Sequence, residues 1–246
     1  MNGKYKKPLD VTLTVVFIIV LVLFILTFSI GLPIYCRFFY YIQIKTLNLP
    51  EQAAAYGIKA DYYDIKFAYD QILDFCTLPN RPFGSGIFKM SEEGIAHFAD
   101  CKVLFNLNLA VMIVSGAATL TLALLNRFKV ITLKRPLGHR AQFLSAIIAI
   151  ALPVVIGAVA ALVGFDRAFG AFHGIFFPGK ENWNFSPRED QIITVMPKEF
   201  FMNCAIIIGA GLVVFSAALI IADVVLAKKD KRRAETNTNE NNAPQG

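Results

Sequence analysis

Four stretches of the chain are long and apolar enough to cross a lipid bilayer, and they limit the possible folds more than any other feature. They occupy residues 11–32, 103–125, 143–165 and 205–226 of the 246-residue sequence. About 20 apolar residues cover the roughly 30 Å hydrocarbon core, and the backbone inside it needs the internal hydrogen bonds of a helix. We therefore predict an all-α integral membrane protein with four transmembrane helices.

The distribution of positive charge predicts how these spans are oriented. The short link between the second and third spans holds five cations and no acid, and a basic segment that begins the tail 227–246 follows the fourth span. Short basic segments stay in the cytoplasm. Both termini are therefore predicted to be cytoplasmic, with the two long links, 33–102 and 166–203, on the outer side of the plasma membrane. This confinement of the net charge of +6 argues against a nucleic-acid partner. The polar tail from Glu235 onward is predicted to be disordered.

Both outer links are predicted to carry amphipathic or interfacial helices. Apolar side chains recur every three or four residues over 60–75, which is the spacing of one helix face. That face suits either the outer leaflet or another element of the link. Ser91 is typical of a helix N-cap before Glu92 and Glu93, and the helix it starts is predicted to continue into the second span. The Phe-rich stretch 165–201, with the only Trp, is typical of a membrane interface.

Two of the three histidines lie in the outer links, where acid–base chemistry on a membrane substrate is plausible for imidazole. His97 has Asp100 one turn later on the same helix face, and His173 follows the adjacent pair Asp166 and Arg167. A structural hydrogen bond is the alternative role for either histidine. His139, in the basic inner link, is predicted to be solvated.

Other site chemistry finds little support in the sequence. No HExxH or CxxC pattern indicates a metal site and no GxSxG elbow indicates a serine nucleophile, so neither a metal nor a cofactor is predicted. Cys76 and Cys101 share one outer link, and both a disulfide and two unpaired thiols remain open. Asn106 and Asn108 lie near the outer end of the second span and are predicted to point into the protein. With Arg167, they are candidates for steadying an oxyanion.

The motifs resemble the Lit-type lipoprotein intramolecular transacylases of Gram-positive bacteria. The order and spacing of short motifs carry the resemblance: Gly164-Phe165-Asp166, Phe172-His173, Phe176-Phe177, Trp183-Asn184-Phe185, Pro187, Asp190 and Pro197-Lys198-Glu199-Phe200-Phe201. Upstream, His97 with Lys102, Val103, Leu104 and Phe105 is similar to the start of the family's second span. The sequence departs from the family pattern at Ser186, where Asp is common, and at Gly174, where a larger polar residue is frequent.

The resemblance implies roles for individual residues. It identifies His97 and His173 as the catalytic pair. The supporting residues are expected to be Asp100, Lys102, Asn106, Asp166 and Arg167, and the substrate or interface contacts Phe172, Trp183, Phe185 and Asp190.

The reaction that the resemblance implies is acyl transfer within a diacylglyceryl-modified lipoprotein held in membrane lipid. The sn-2 acyl chain moves from glycerol to the α-amine of the N-terminal cysteine, which gives the N-acyl lyso form. One histidine deprotonates the amine and the other protonates the glycerol oxygen; which does which stays open, as does an acyl-imidazole intermediate. Two alternatives are a non-catalytic membrane protein that binds lipid or a partner through its aromatic links, and an outer-leaflet lipid hydrolase. The sequence does not indicate an oligomeric state.

Overall fold

The computed structural model describes residues 3–241, and every regular element in that range is helical. The α-helices are α1 (Gly3–Tyr35), α2 (Arg37–Thr46), α3 (Leu49–Ala55), α4 (Tyr62–Thr77), α5 (Glu92–Arg127), α6 (Ala141–Val163), α7 (Phe165–Phe176) and α8 (Lys198–Asn241). Two short 3₁₀ helices, Pro136–Gly138 and Gln191–Thr194, complete the set. The prediction of an all-α fold is confirmed.

Four of these helices, α1, α5, α6 and α8, are long and apolar enough to cross a membrane. Their most apolar windows have mean hydropathies between 1.9 and 3.1. They contain the four predicted spans, apart from the last two residues of the third. The helix predicted to start after Ser91 does run without a break into the second span, because α5 begins at Glu92 and ends at Arg127.

Helix α8 continues beyond its apolar part into the polar tail. It reaches Asn241, whereas the sequence predicts disorder from Glu235 onward; residues 242–246 of that tail lie outside the described part of the chain. The physical reason is that residues 227–235, apart from Asp230, are Ala, Lys, Arg and Glu, which are strong helix formers. Extending an existing helix also avoids the cost of nucleating a new one.

The chain divides into two compact units. The first comprises Met1–Leu26, Val114–Pro153 and Leu212–Gly246, and the second comprises Thr27–Ile113 and Val154–Gly211. We call the second the histidine unit because it contains both His97 and His173.

The first unit contains a buried carboxylate, Asp223, with several hydrogen-bonding partners. Asp223 is 1% exposed, and its Oδ2 lies 2.8 Å from Nδ1 of His139. Arg140 donates to it through both its backbone N–H and its guanidinium group. The His139 side chain is 44% exposed, so it reaches solvent as predicted. It also contacts Asp223, which the sequence does not predict, because a carboxylate in an apolar helix needs charged or hydrogen-bonding partners.

The core of the histidine unit is built from the short helices α2, α3 and α4. The apolar face of α4 that the sequence predicts is present, and Ile65, Tyr69 and Ile72 are buried in this core. Tyr69 stacks on Tyr40 of α2 with ring centroids 3.8 Å apart. Of the two roles open for this face, packing against another element of the same link is the one observed.

Charged side chains on the outside of this core join α2 to α4. Arg37 donates to Asp70 at 3.1 Å and to Asp74, while Tyr41 and Lys66 also donate to Asp70. Burial alone would raise the pKa of Asp70, but these hydrogen bonds outweigh it and the net pKa is lowered. These hydrogen bonds hold α2 against α4 at the start of the first long link.

All four cysteines of the sequence are free in the structure. Of the two possibilities for Cys76 and Cys101, unpaired thiols are observed. Cys76 is buried, with its Sγ 3.6 Å from the carbonyl oxygen of Phe98.

Candidate active site

The N-terminus of α5 sets the position of His97. The hydroxyl of Ser91 accepts from the backbone N–H of Gly94 at 2.9 Å, as its predicted N-cap role requires. Asp190, from the other outer link, accepts from both the backbone N–H and the hydroxyl of Ser91, at 2.9 and 2.7 Å. Its carboxylate lies so close to Gly94 that any Cβ there would overlap it. The two links are thus joined at the first turn of α5, six residues before His97.

A break at Gly164 sets the position of His173. This glycine has a φ of 88°, in the left-handed region that favours glycine, and it separates α6 from α7. Helix α7 then presents the apolar side chains of Phe172, Ile175 and Phe176 outward, while His173 is buried. The helix has the amphipathic character expected of an interfacial element.

The two histidines meet in the interior of the unit. Their ring centroids are 5.7 Å apart, with an angle of 36° between the ring planes. His97 is 7% exposed and His173 is 5% exposed. Residues 76 positions apart in the sequence therefore form one imidazole pair in an aromatic environment.

The hydrogen bond of His173 fixes its tautomer. Its Nδ1 lies 2.8 Å from the carbonyl oxygen of Phe169, and because a carbonyl only accepts, Nδ1 carries the proton. In the neutral ring, Nε2 is then left with the lone pair. Trp183 stacks on the ring at a centroid distance of 4.4 Å. Burial lowers the pKa of His173, and the Phe169 carbonyl only partly opposes this shift.

His97 is held between aromatic rings on one side and a thiol on the other. Phe177 and Phe185 contact it edge to face at 4.9 and 5.6 Å between centroids. Its Nε2 lies 3.5 Å from Sγ of Cys101, one turn later on α5. Its Nδ1 is buried and forms no hydrogen bond within the described residues.

A short polar chain leads from solvent to His97. The Asp100 carboxylate accepts from Nζ of Lys180 at 2.5 Å and from Nδ2 of Asn182 at 3.1 Å. The Asn182 side chain in turn interacts with the His97 ring. Asp100 thus lies beside the histidine pair and reaches His97 through Asn182.

Three predicted supporting residues are engaged elsewhere, and a fourth, Arg167, points to solvent. Nζ of Lys102 lies 4.6 Å from the centre of the Phe75 ring. Asn106 is exposed and donates to the carbonyl of Lys102 in its own helix, so the prediction that it points inward is wrong. Asp166 pairs with Lys198 at 2.8 Å. Arg167 is exposed and forms no ion pair among the described residues.

Asn108 differs from Asn106, because it does point inward. Its amide nitrogen donates to the carbonyl oxygen of Thr27 on α1 at 3.1 Å. Neither asparagine is among the residues that contact the histidine rings.

Three of the four predicted contact residues lie directly against the histidines. Phe172 and Trp183 contact His173, and Phe185 contacts His97. Asp190 lies instead at the start of α5, where its role in the structure is to cap that helix.

Sequence reasoning missed several groups at the site: Cys101, Phe169, Phe177, Lys180 and Asn182. Helical spacing from the two histidines was an available signal for three of them, since Cys101, Phe169 and Phe177 each lie four residues from a histidine. No local signal pointed to Lys180 or Asn182, which belong to an irregular segment. Within the part of the chain that the structure describes, no group of three or more His, Cys, Asp or Glu side chains is arranged to hold a metal ion.

Comparison with known proteins supplies the family. The sequence model of the lipoprotein intramolecular transacylase Lit matches residues 15–201. The structure is similar to that of the membrane-integral lipoprotein intramolecular transacylase Lit from Bacillus cereus, with a TM-score of 0.80 and 23% identity over 91% of this chain and 98% of that one. A variant of the Bacillus cereus protein with one histidine replaced by alanine matches with a TM-score of 0.77 and 22% identity over 94% of this chain and 100% of the other. A search of curated protein sequences finds no match. The chain therefore belongs to the lipoprotein intramolecular transacylase family, and it is an acyltransferase that moves an acyl chain within a lipoprotein.

Proposed function

We propose that the protein moves the sn-2 acyl chain of a diacylglyceryl lipoprotein to the α-amine of its N-terminal cysteine, with His97 and His173 as the catalytic pair. The observation that carries this assignment is the pairing of the two imidazole rings, 5.7 Å apart and both buried. Amine and ester belong to one substrate, so the protein mainly has to hold a reactive conformer and move protons. No serine or thiol nucleophile is needed.

The proton inventory of the reaction explains why two histidines are useful. An α-amino group has a pKa of about 7.7–8.0 and is mostly protonated at neutral pH. One histidine takes the first proton, and the free amine then attacks the ester carbonyl. As the N–C bond forms and the C–O bond to glycerol breaks, the second histidine takes another proton from nitrogen and the first returns its proton to the glycerol oxygen. One proton is released overall, and no water is consumed.

His173 suits the role of a base in this scheme. Its tautomer leaves Nε2 as an acceptor, and its lowered pKa keeps the ring neutral at the pH where it has to act. The aromatic rings around both histidines exclude water, which would otherwise compete with the amine for the ester.

We further propose that the site faces the outer side of the plasma membrane. The short basic loop before α6 and the basic segment of α8 favour the cytoplasm under the positive-inside rule. The apolar outer face of α7 would lie at headgroup depth. Diacylglyceryl lipoproteins anchored in the outer leaflet would then reach the histidines without leaving the membrane.

A reconstituted reaction tests the catalytic assignment. Purified protein in lipid vesicles is given a diacylglyceryl lipopeptide, and the position of the acyl chain in the product is read from its fragments in tandem mass spectrometry. We expect conversion to the N-acyl lyso form with no change in mass, and a loss of roughly 10²–10⁴-fold in rate for H97A and for H173A. His139→Ala, a histidine of the first unit that does not contact the pair, is the control. It should keep the full rate per folded molecule, with the folded fraction measured by thermal unfolding because His139 contacts Asp223.

The same measurement separates the alternative functions. Loss of an acyl chain from the peptide would identify a hydrolase. Full activity in both histidine variants would overturn the catalytic assignment. An unmodified peptide with wild-type protein would favour a lipid- or partner-binding role.

A further inference from the structure

We propose that residues 178–187 form a lid over the histidine pair, and that Asp100 is the positioning residue that holds this lid closed. The inference rests on the proposed function, because it describes how a lipoprotein substrate reaches the two histidines. It gives a role to Lys180 and Asn182, for which no local pattern in the sequence provides one.

The lid leaves the histidine rings without room for a substrate. His97 is 7% exposed and His173 is 5% exposed. Trp183 stacks on the His173 ring at 4.4 Å between centroids, and Phe185 contacts the His97 ring at 5.6 Å. Groups that exchange protons have to come within hydrogen-bonding distance of each other. Because Trp183 and Phe185 both belong to the lid, its displacement uncovers one side of each histidine ring.

The lid lies between two fixed ends and has no regular structure of its own, since residues 178–187 form neither helix nor strand. Just before it, the backbone N–H of Phe177 donates to the carbonyl oxygen of His173 at 2.7 Å. Just after it, Asp190 accepts from Ser91 of α5. The ends are therefore held against α7 and α5, while the segment between them is free of the backbone ladder that would make it rigid.

Asp100 is the point where side chains of the lid are fastened to α5. One of its carboxylate oxygens accepts from Nζ of Lys180 at 2.5 Å, and the other accepts from Nδ2 of Asn182 at 3.1 Å. Within the lid, Nε1 of Trp183 donates to the carbonyl oxygen of Lys180 at 3.0 Å. The ring that covers His173 is thus coupled to the contacts at Asp100, and breaking those contacts frees it.

The fastening is weak enough for a lid that opens during each reaction. The side chains of Lys180 and Asp100 are 48% and 23% exposed, and ion pairs this close to water are weak and screened by salt. When the lid is open, the substrate enters. When it is closed, the aromatic rings exclude water, so that the amine attacks the ester without competition.

Chemical protection of the histidines tests the lid without catalysis. Purified protein in detergent is treated with diethyl pyrocarbonate at neutral pH, and the modification of each histidine is followed by peptide mass spectrometry. His139, whose side chain is 44% exposed, is the internal reference. We expect Asp100→Ala to raise the modification rates of His97 and His173 at least ~3-fold relative to His139, because it removes an ion pair and a hydrogen bond. Lys180→Ala removes only the ion pair and should have a smaller effect in the same direction.

Three controls separate opening of the lid from loss of structure. Lys198→Ala removes the ion pair with Asp166, which also lies in the second long link, and should leave the protection unchanged. Lys180→Arg keeps a cation for Asp100 and should protect the histidines as the wild type does. Cys76, which is buried in the core of the histidine unit, should stay unreactive toward a maleimide in every variant.

The products of a lipopeptide reaction in vesicles give a second readout. Wild-type protein should give the N-acyl lyso form alone, whereas Asp100→Ala should also give peptide that has lost an acyl chain to water. Transfer without hydrolysis in a variant whose histidines have lost protection would overturn the role of the lid in excluding water.

The protection experiment can fail independently of the proposed function. Unchanged protection in Asp100→Ala and Lys180→Ala overturns the lid, and so does a loss of protection that Cys76 shares, because the contacts at Asp100 would then be structural. Both results leave the transfer reaction standing. Absence of transfer by the wild type would overturn the proposed function instead.

Discussion

The two histidine rings are oriented by different neighbours. The carbonyl oxygen of Phe169 accepts a hydrogen bond from Nδ1–H of His173, so Nε2 keeps the lone pair. Nε2 of His97 lies 3.5 Å from Sγ of Cys101. Both neighbours lie one helical turn from their histidine. The sequence predicts that turn spacing, but which nitrogen each neighbour meets depends on how α5 and α7 are rotated about their axes.

The lowered pKa of His173 predicts the pH dependence of transfer. Burial disfavours the charged ring, so the neutral base persists below the usual value of about 6.5. As the pH falls, protonation removes the base and the rate drops, and we expect the midpoint of this drop to lie below pH 6.5. Single-turnover rates in vesicles between pH 5 and 8, read by mass spectrometry, measure it.

The control for this pH profile is a variant that removes the aromatic ring covering His173. Trp183 stacks on the imidazole, so Trp183→Ala admits water and should move the midpoint upward, toward 6.5. A wild-type midpoint above 6.5 would contradict the role of a buried neutral base.

At the scale of elements, the two long links are joined by hydrogen bonds at the start of α5. Asp190 from the second link accepts from Ser91 of the first and extends the N-cap of the helix that carries His97. The sequence correctly predicts Ser91 as the cap and predicts Asp190 as a contact residue, but not that the two are partners. Capping groups 99 residues apart are invisible to local patterns.

Gly94→Ala tests this junction. The added Cβ would overlap Oδ1 of Asp190 and lie 2.8 Å from Cε of Met90. We expect the carboxylate to be displaced at a cost of about 1 kcal/mol, typical for a lost cap. This corresponds to a fall of roughly 2–4 °C in the thermal midpoint for a chain of this size. Thermal unfolding in detergent measures it.

Gly157→Ala is the matched control for that substitution. Nothing lies within 4 Å of a Cβ at Gly157, which is also inside a helix. Because Ala is the better helix former, its midpoint should stay the same or rise. An equal fall in both variants would show that the Asp190 contact contributes nothing.

At the scale of the whole molecule, the chain builds two units with different tasks. The first contains the basic loop and the buried Asp223, and the histidine unit contains the core of short helices and the imidazole pair. Four hydrophobic helices alone would give a membrane anchor. The two long links form α2, α3, α4 and α7, and these helices build the histidine unit around the imidazole pair.

The orientation of the molecule is testable by labelling single cysteines. Lys59 lies in the first long link and Leu137 in the basic loop, and both are exposed. In a Cys36→Ser background, a membrane-impermeant maleimide should label Lys59→Cys in intact cells, and should label Leu137→Cys only after the cells are opened. The reverse pattern would place the histidine unit in the cytoplasm and contradict the proposed substrate access.

The sequence by itself determined the number of spans and the helical class, and it selected His97 and His173 as the candidate pair. It could do so because hydropathy is a property of consecutive residues, and because the family motifs are short and local. Only the tertiary structure decided that Asn182 and Cys101 face His97, that Asp190 caps α5, and that Asp223 meets His139. Those contacts join segments that are distant in the sequence or depend on the rotation of a helix about its axis. Tertiary packing sets them, and no local pattern does.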